Sequence, residues 1–243
     1  GSTVNQAVCG LRHLYNGHLG RGWDLWKNIK ITREEPLPHV LTRREVDQLL
    51  GTVRDARFRA FFTTVYHTGM RLGEATHIRP KHINAERLVV LIPKAKNRKA
   101  REVPITPELL QRLRRFWCAH RNPDWLFPGL TRRWKSSQMT RAEALGASKA
   151  PISNASVWAA IKVASAECGL SKKHDKICTH TLRHSYATHL LDAGVSPRQV
   201  AAYLGHSSLK QTMVYLHLTE LSEERARSAL YTLAGQESPP ARR

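Results

Sequence analysis

Apolar residues recur at helical spacing from Val4 to Leu19, through Val8, Leu11, Leu14 and Tyr15, and Gly20 follows as a stop, so the chain opens on one helix. Lys27 to Pro38 mixes charges with two prolines and shows no period, which reads as a linker and puts a boundary near residue 38. From Thr42 the sequence TRRE has the form of a capping box, with Glu45 placed to reach back to the Thr42 amide ahead of Val46, Leu49 and Leu50. A second helix runs from Arg57 to Thr68 through Phe61, Phe62, Val65 and Tyr66. Gly69 supplies its left-handed stop, and MRLGEATHI begins another helical turn.

The period then changes. Leu88 to Ile92 is a β-rich apolar run and Glu102 to Ile105 alternates, so the two form a hairpin joined by the basic segment Pro93 to Arg101. Ile83 sits where a third, shorter strand would pair. Thr106 and Pro107 make the cap and first turn of a helix reaching about His120, and Asn154 to Cys168 forms another, ended by Gly169. Between them Thr131 to Pro151 is polar, basic and aperiodic, and reads as a surface loop. Thr181 to Asp192 keeps Leu182, Tyr186, Ala187, Leu190 and Leu191 on one face. Ser196 and Pro197 cap a helix that Gly205 ends after Leu204. A short segment carries Tyr215, and Ser222 to Ala234 has a narrow stripe at Ala226, Ala229, Leu230 and Leu233. The fold class expected is mainly α with a small antiparallel β-sheet. No βαβ alternation and no internal repeat are visible.

Composition narrows the partner. The 243 residues, 41% hydrophobic, suffice for one sizeable core, and 39 Lys+Arg against 19 Asp+Glu give a formal charge of +20. A surface so basic attracts polyanions. Charge alone does not separate a DNA partner from an RNA partner or from a solvated basic face, so the motifs decide. No run approaches the roughly 20 apolar residues that span a bilayer, and no signal-peptide pattern opens the chain, so no membrane partner is expected. Cys9, Cys118, Cys168 and Cys178 are scattered, and no HExxH or His-x-His pair occurs, so no metal and no disulfide framework are expected.

A phosphodiester resists attack because its oxygens are anionic, so breaking one takes fixed cations and a nucleophile. Arg71 follows a glycine-ended helix at the amino end of a new one, where a guanidinium would clamp phosphate oxygens; its bland reading is an ion pair with Glu74. His180 and Arg183, three apart at the start of a helix, can point at one ligand. His206 lies in the turn after Gly205, and Tyr215 follows nine residues on. These cations could surround a phosphate that Tyr215 attacks. His184 and His189 read as structural. Arg183 ranks ahead of His217 as the group that eases ionisation of the tyrosine, whose ordinary pKa is near 10.

Five motifs in order resemble the catalytic domain of the tyrosine recombinases, the phage-integrase and Xer family: TGMRLGEA at Thr68 to Ala75, KNRKAREVPI at Lys96 to Ile105, HTLRHSYATHLL at His180 to Leu191, LGHSS at Leu204 to Ser208, and TMVYLH at Thr212 to His217. The opening helix and LPHVLT are similar to the end of that family's core-binding domain and the linker beyond it. The resemblance therefore implies a remnant of that domain over residues 1–37, with most of the amino-terminal clamp missing, and the catalytic domain with its carboxyl-terminal helix and tail over 38–243.

It also implies roles. Arg71 matches the first catalytic arginine, His180 and Arg183 the HxxR pair, His206 the second histidine and Tyr215 the nucleophile. Lys96 is the first choice for the hairpin lysine, with Lys94 or Lys99 as alternatives. Lys94, Arg98, Lys99, Arg101 and Lys210 are the further DNA-contacting cations expected. The implied reaction is strand cleavage and rejoining through a 3′-phosphotyrosine, with no cofactor, on double-stranded DNA, by a tetramer held through the carboxyl-terminal helix, in the prokaryotic cytoplasm. That helix would otherwise fold back on its own core. Relaxation of supercoils in the manner of a type IB topoisomerase, or DNA binding without catalysis, are the competing readings.

Overall fold

The computed structural model of the chain describes residues 2–23, 38–93, 100–130, 134, 138–174 and 176–216. They fall into two compact units, Gly1–Leu37 and Pro38–Arg243. The first holds α1, Ser2–Arg12, which widens into a π-helical stretch over His13–His18, and Tyr15 stacks on Trp23 with ring centroids 4.5 Å apart. The linker read from Lys27 onward lies outside the described residues as far as Leu37.

In the second unit the local signals become elements. α2, Arg43–Thr52, starts on the reciprocal cap: the Thr42 amide donates to Glu45 Oε2 at 2.9 Å and the Glu45 amide to Thr42 Oγ1 at 3.2 Å. α3, Ala56–Thr68, ends at Gly69, and α4, Leu72–Thr76, begins at once. Three strands follow, β1 Ile83–Asn84, β2 Val89–Ile92 and β3 Arg101–Pro104, in antiparallel order β1-β2-β3. Val90 pairs with Ile83 on one side and Val103 on the other. Val90 and Ile92 face the core while Leu91 faces out, the period-two pattern of a sheet with one solvated face. The hairpin tip, residues 94–99, is outside the described residues.

α5, Pro107–His120, takes its cap from Thr106. The stretch read as a loop between Thr131 and Pro151 is in part a helix, α6, Arg141–Gly146. Its signal was a second capping box, Thr140 with Glu143, and only Leu145 is buried, too little apolar pattern to announce a helix. Asn122 holds this segment by donating to the Leu145, Gly146 and Ser148 carbonyls at 2.8–3.1 Å. α7, Asn154–Glu167, leads through Gly169 into the short α8, Leu170–Lys173. Then come α9, Thr179–Asp192, α10, Pro197–Leu204, and α11, Lys210–Leu216. The stripe read at Ser222 to Ala234 lies outside the described residues.

α9 is buried on most of its circumference and so shows little amphipathic pattern. It separates two apolar clusters. The larger gathers residues such as Phe61, Phe62, Val65, Val90, Val103, Phe127, Val157 and Leu182 from the helices and the sheet. The smaller joins Tyr186, Ala187, Leu191, Val200, Leu204 and Tyr215 beneath α10 and α11. Gly69 stands where α3, α9 and α10 meet. Its φ is +61°, and a Cβ there would lie 2.5 Å from a Tyr186 ring carbon and 2.7 Å from Leu204 Cδ2. Left-handed strain and overpacking act together at this point. Gly69→Ala should therefore cost roughly 2–5 kcal/mol of unfolding free energy, read from denaturant titration. A loss below 1 kcal/mol would show that this junction yields.

Candidate active site

The carboxyl end of α10 organises the site. Gly205, in the left-handed conformation at φ +62°, closes the helix so that its amide donates to the Ala202 carbonyl at 3.1 Å and the His206 amide to the Ala201 carbonyl at 3.0 Å. The next carbonyls along the chain receive guanidinium groups instead. Arg101 Nε donates to the Tyr203 oxygen at 2.8 Å, Arg183 Nη2 and Arg71 Nη1 to the Leu204 oxygen at 2.8 and 3.3 Å, and Arg71 Nη2 to the Gly205 oxygen at 3.4 Å. Arg183 also donates to the Gly69 carbonyl. A helix carboxyl end carries partial negative charge and orphan acceptors, so it holds cations that would otherwise repel one another. The left-handed φ of +62° favours glycine at this turn, and a Cβ on Gly205 would also fall 2.8 Å from Arg101 Nη1.

Glu74 completes the cluster. Its carboxylate accepts two hydrogen bonds from Arg101, at 3.0 and 2.7 Å, one from Arg71 Nη1 at 3.2 Å, and one from the Arg71 amide at 2.9 Å. Burial pushes its pKa up, but the Arg101 and Arg71 contacts outweigh that and hold it at about 2. Arg183 is 3% exposed, and burial first, then Arg71, work against its charge; a guanidinium nonetheless keeps its proton in a protein. The ion pair with Glu74 read for Arg71 is present, and the same guanidinium also reaches the Leu204 and Gly205 carbonyls.

Tyr215 reaches the same place from α11. It is 4% exposed, its ring stacks on His206 with centroids 6.4 Å apart, and its hydroxyl is 2.7 Å from His184 Nδ1. Burial pushes the phenol pKa up, against the pull of Arg183 and then Arg71. His206 is oriented by its Nδ1 contact with Thr212 Oγ1 at 2.8 Å, which leaves Nε2 to meet a ligand. Burial, then the surrounding arginines, lowers His206 to about 4. Burial, then His180 and Arg183, lowers His184 to the same value. Both imidazoles are neutral at pH 7.

Arg71, Arg183, His206 and Tyr215 thus converge from positions far apart in the chain. His180 is exposed one turn before His184, with ring centroids 6.4 Å apart, at the mouth of the cluster. Lys94, Lys96, Arg98, Lys99 and His217 lie outside the described residues, while Lys210 is exposed at the start of α11. Two residues have surroundings that the sequence reading did not give them. Arg101, grouped with the DNA-contacting cations, turns inward with its side chain 9% exposed, spent on Glu74 and the Tyr203 carbonyl. His184, read as structural, is the hydroxyl partner of Tyr215. Its spacing one turn after His180 on the same helix was the available signal.

Residues 39–221 match the model of the phage integrase family. The protein y4qK of Sinorhizobium fredii, whose name places it among integrases and recombinases, is 33% identical over 218 residues, covering 89% of this chain and 65% of the relative. The tyrosine recombinase XerA of Pyrococcus furiosus is 30% identical over 195 residues, 79% of this chain and 61% of the relative. A crystal structure of the XerH site-specific recombinase bound to its difH substrate, in a pre-cleavage complex, superposes with a TM-score of 0.60 at 25% identity, covering 82% of this chain and 55% of that one. The chain thus spans less than two thirds of y4qK and XerA, and the match runs through every element that builds the arginine cluster and Tyr215. With that site and that span of similarity, the chain belongs to the phage integrase family.

Proposed function

We propose that this chain carries the strand-cleaving site of a site-specific DNA recombinase, with Tyr215 as nucleophile and a 3′-phosphotyrosine as intermediate. The observation that carries the reading is the buried Tyr215 hydroxyl set beside Arg71, Arg183 and His206 of its own chain. The basic composition and the relatives named as recombinases support it.

Charge accounting favours a phosphate. Among the described residues the cluster holds the guanidiniums of Arg71, Arg101 and Arg183 against the single carboxylate of Glu74, with both imidazoles neutral. The surplus is two positive charges, which suits the doubly charged pentacoordinate transition state of phosphodiester attack. The Tyr215 oxygen attacks phosphorus in line, so that the Oη–P bond forms as the bond to the 5′ oxygen breaks. Arg71, Arg183 and His206 hold the non-bridging oxygens. The hairpin lysine, with Lys96 preferred, protonates the departing 5′ oxygen, and His180 at the mouth assists proton transfer. Because the ester retains the bond energy, a 5′ hydroxyl of a second duplex reverses the step without a cofactor.

Lys210 and the hairpin-tip residues Lys94, Arg98 and Lys99 are proposed to contact the DNA backbone, Arg101 being reserved for Glu74. A tetramer on two DNA sites, held through the stripe at Ala226, Leu230 and Leu233, is the proposed assembly.

Removing Glu74 separates its role from that of the arginines. Glu74→Gln leaves Arg101 without a counter-charge and should destabilise the fold by about 3 kcal/mol. The folded pKa of about 2 lies below the ordinary 4.5, so the carboxylate's contribution is complete above about pH 4.5 and is lost as pH falls toward 2. The pH dependence of stability in that window should therefore flatten in the variant, measured by denaturant titration. For the chemistry, Arg71→Ala and Arg183→Ala should each slow covalent trapping on a nicked suicide duplex by about 10²- to 10³-fold or more. Tyr215→Phe should form no SDS-resistant adduct. An adduct formed by Tyr215→Phe would remove Tyr215 from its role, and absence of any adduct from the unsubstituted protein would favour a DNA-binding module.

A further inference from the structure

We propose that His184 takes the proton from Tyr215 as the phenol oxygen attacks, so that it acts as the general base of strand cleavage. The assignment rests on the phosphodiester reading of the site. It follows from where the hydrogen can go. When Tyr215 Oη bonds to phosphorus it must lose the hydrogen it carries, and a group already within hydrogen-bond reach is placed to accept it. Among the described residues the hydrogen-bond partner of that hydroxyl is His184 Nδ1, at 2.7 Å.

The neighbours do not compete. Arg71 and Arg183 carry only donors, and their guanidiniums are fixed on the carbonyls of Gly69, Leu204 and Gly205. His206 stacks on the Tyr215 ring at 6.4 Å between centroids, with its Nδ1 turned to Thr212. His184 is half-buried and neutral, and in the tautomer with hydrogen on Nε2 its Nδ1 lone pair faces the phenol. The bonds balance: Oη–H breaks, Nδ1–H forms, Oη–P forms and P–O5′ breaks, the 5′ oxygen taking a proton from another donor. From His184 the proton has an exit, because His180 is exposed one turn away on α9 with its ring centroid at 6.4 Å.

The surrounding charge gives this base a condition. In the free protein burial and the cations beside His184 keep it a poor proton acceptor. A bound phosphate neutralises part of the arginine surplus, so the imidazole becomes more basic only when a diester occupies the site. Tyr215 is then activated with DNA in place and stays protonated without it.

The test compares two substitutions singly and together, using single-turnover adduct formation by the full chain. The probe is a nicked duplex selected from a random-sequence pool by its trapping on the unsubstituted protein. His184→Gln keeps a hydrogen-bond acceptor for the phenol but cannot take its proton, and adduct formation should fall about 10²-fold. Installing difluorotyrosine at position 215, a more acidic phenol, should restore roughly tenfold or more of that loss. A glutamine variant within about threefold of the unsubstituted protein, or an equal loss with either phenol, overturns the assignment. Heavy water supplies a reading that needs no variant: proton transfer in the attacking step slows adduct formation of the unsubstituted protein there, and equal rates in light and heavy water overturn the assignment. If the unsubstituted protein is trapped on no duplex of the pool, the recombinase reading itself fails.

Discussion

The grip of the α10 carboxyl end on three guanidiniums is the interaction on which the rest of the site depends. Once Gly205 adopts its left-handed turn, the carbonyls of Tyr203, Leu204 and Gly205 are spent on arginines arriving from β3, α9 and the start of α4. Each arm brings a different part of the fold to one point. Like charges packed this closely would drive the elements apart in a low-dielectric interior, and the helix end together with Glu74 offsets that repulsion. The arginines are thereby fixed before any substrate arrives, which is what electrostatic stabilisation of a transition state requires.

Several other features follow from that grip. Arg101 is at the base of the hairpin and binds both Glu74 and α10, so the strand that leads from the hairpin tip is anchored to the cluster. Burial first, and the charged neighbours after it, keep His184 and His206 neutral. Neutral imidazoles suit the two tasks proposed for them, donating to a phosphate oxygen and accepting a proton from Tyr215. The tyrosine itself belongs to the smaller apolar cluster, so its ring is placed by packing against the same helices that hold the arginines.

Local chemistry made much of the fold legible. Thr42 with Glu45, Thr106 with Pro107, Ser196 with Pro197, and the stops at Gly69 and Gly205 each act within a few residues, and each element stands where its caps placed it. α6 escaped because its own cap precedes a stretch with one buried apolar residue, Leu145. At the site, Arg71, Arg183, His206 and Tyr215 carry motif signals and meet in space. What could not be read was direction. Arg101 looks like its basic neighbours in the hairpin, and only the packing of β3 against α10 turns it onto Glu74. His184 looks like any histidine on a buried helix until a residue 31 positions later is folded onto it.

The proposed chemistry joins Tyr215, held among these cations, to DNA. It is tested most directly by trapping the protein on a nicked duplex, digesting protein and DNA, and locating the residual nucleotide by mass spectrometry. Attack by Tyr215 leaves a nucleotide joined through its 3′ phosphate to the peptide that contains Tyr215. A nucleotide on any other residue, or a linkage through a 5′ phosphate, would contradict it.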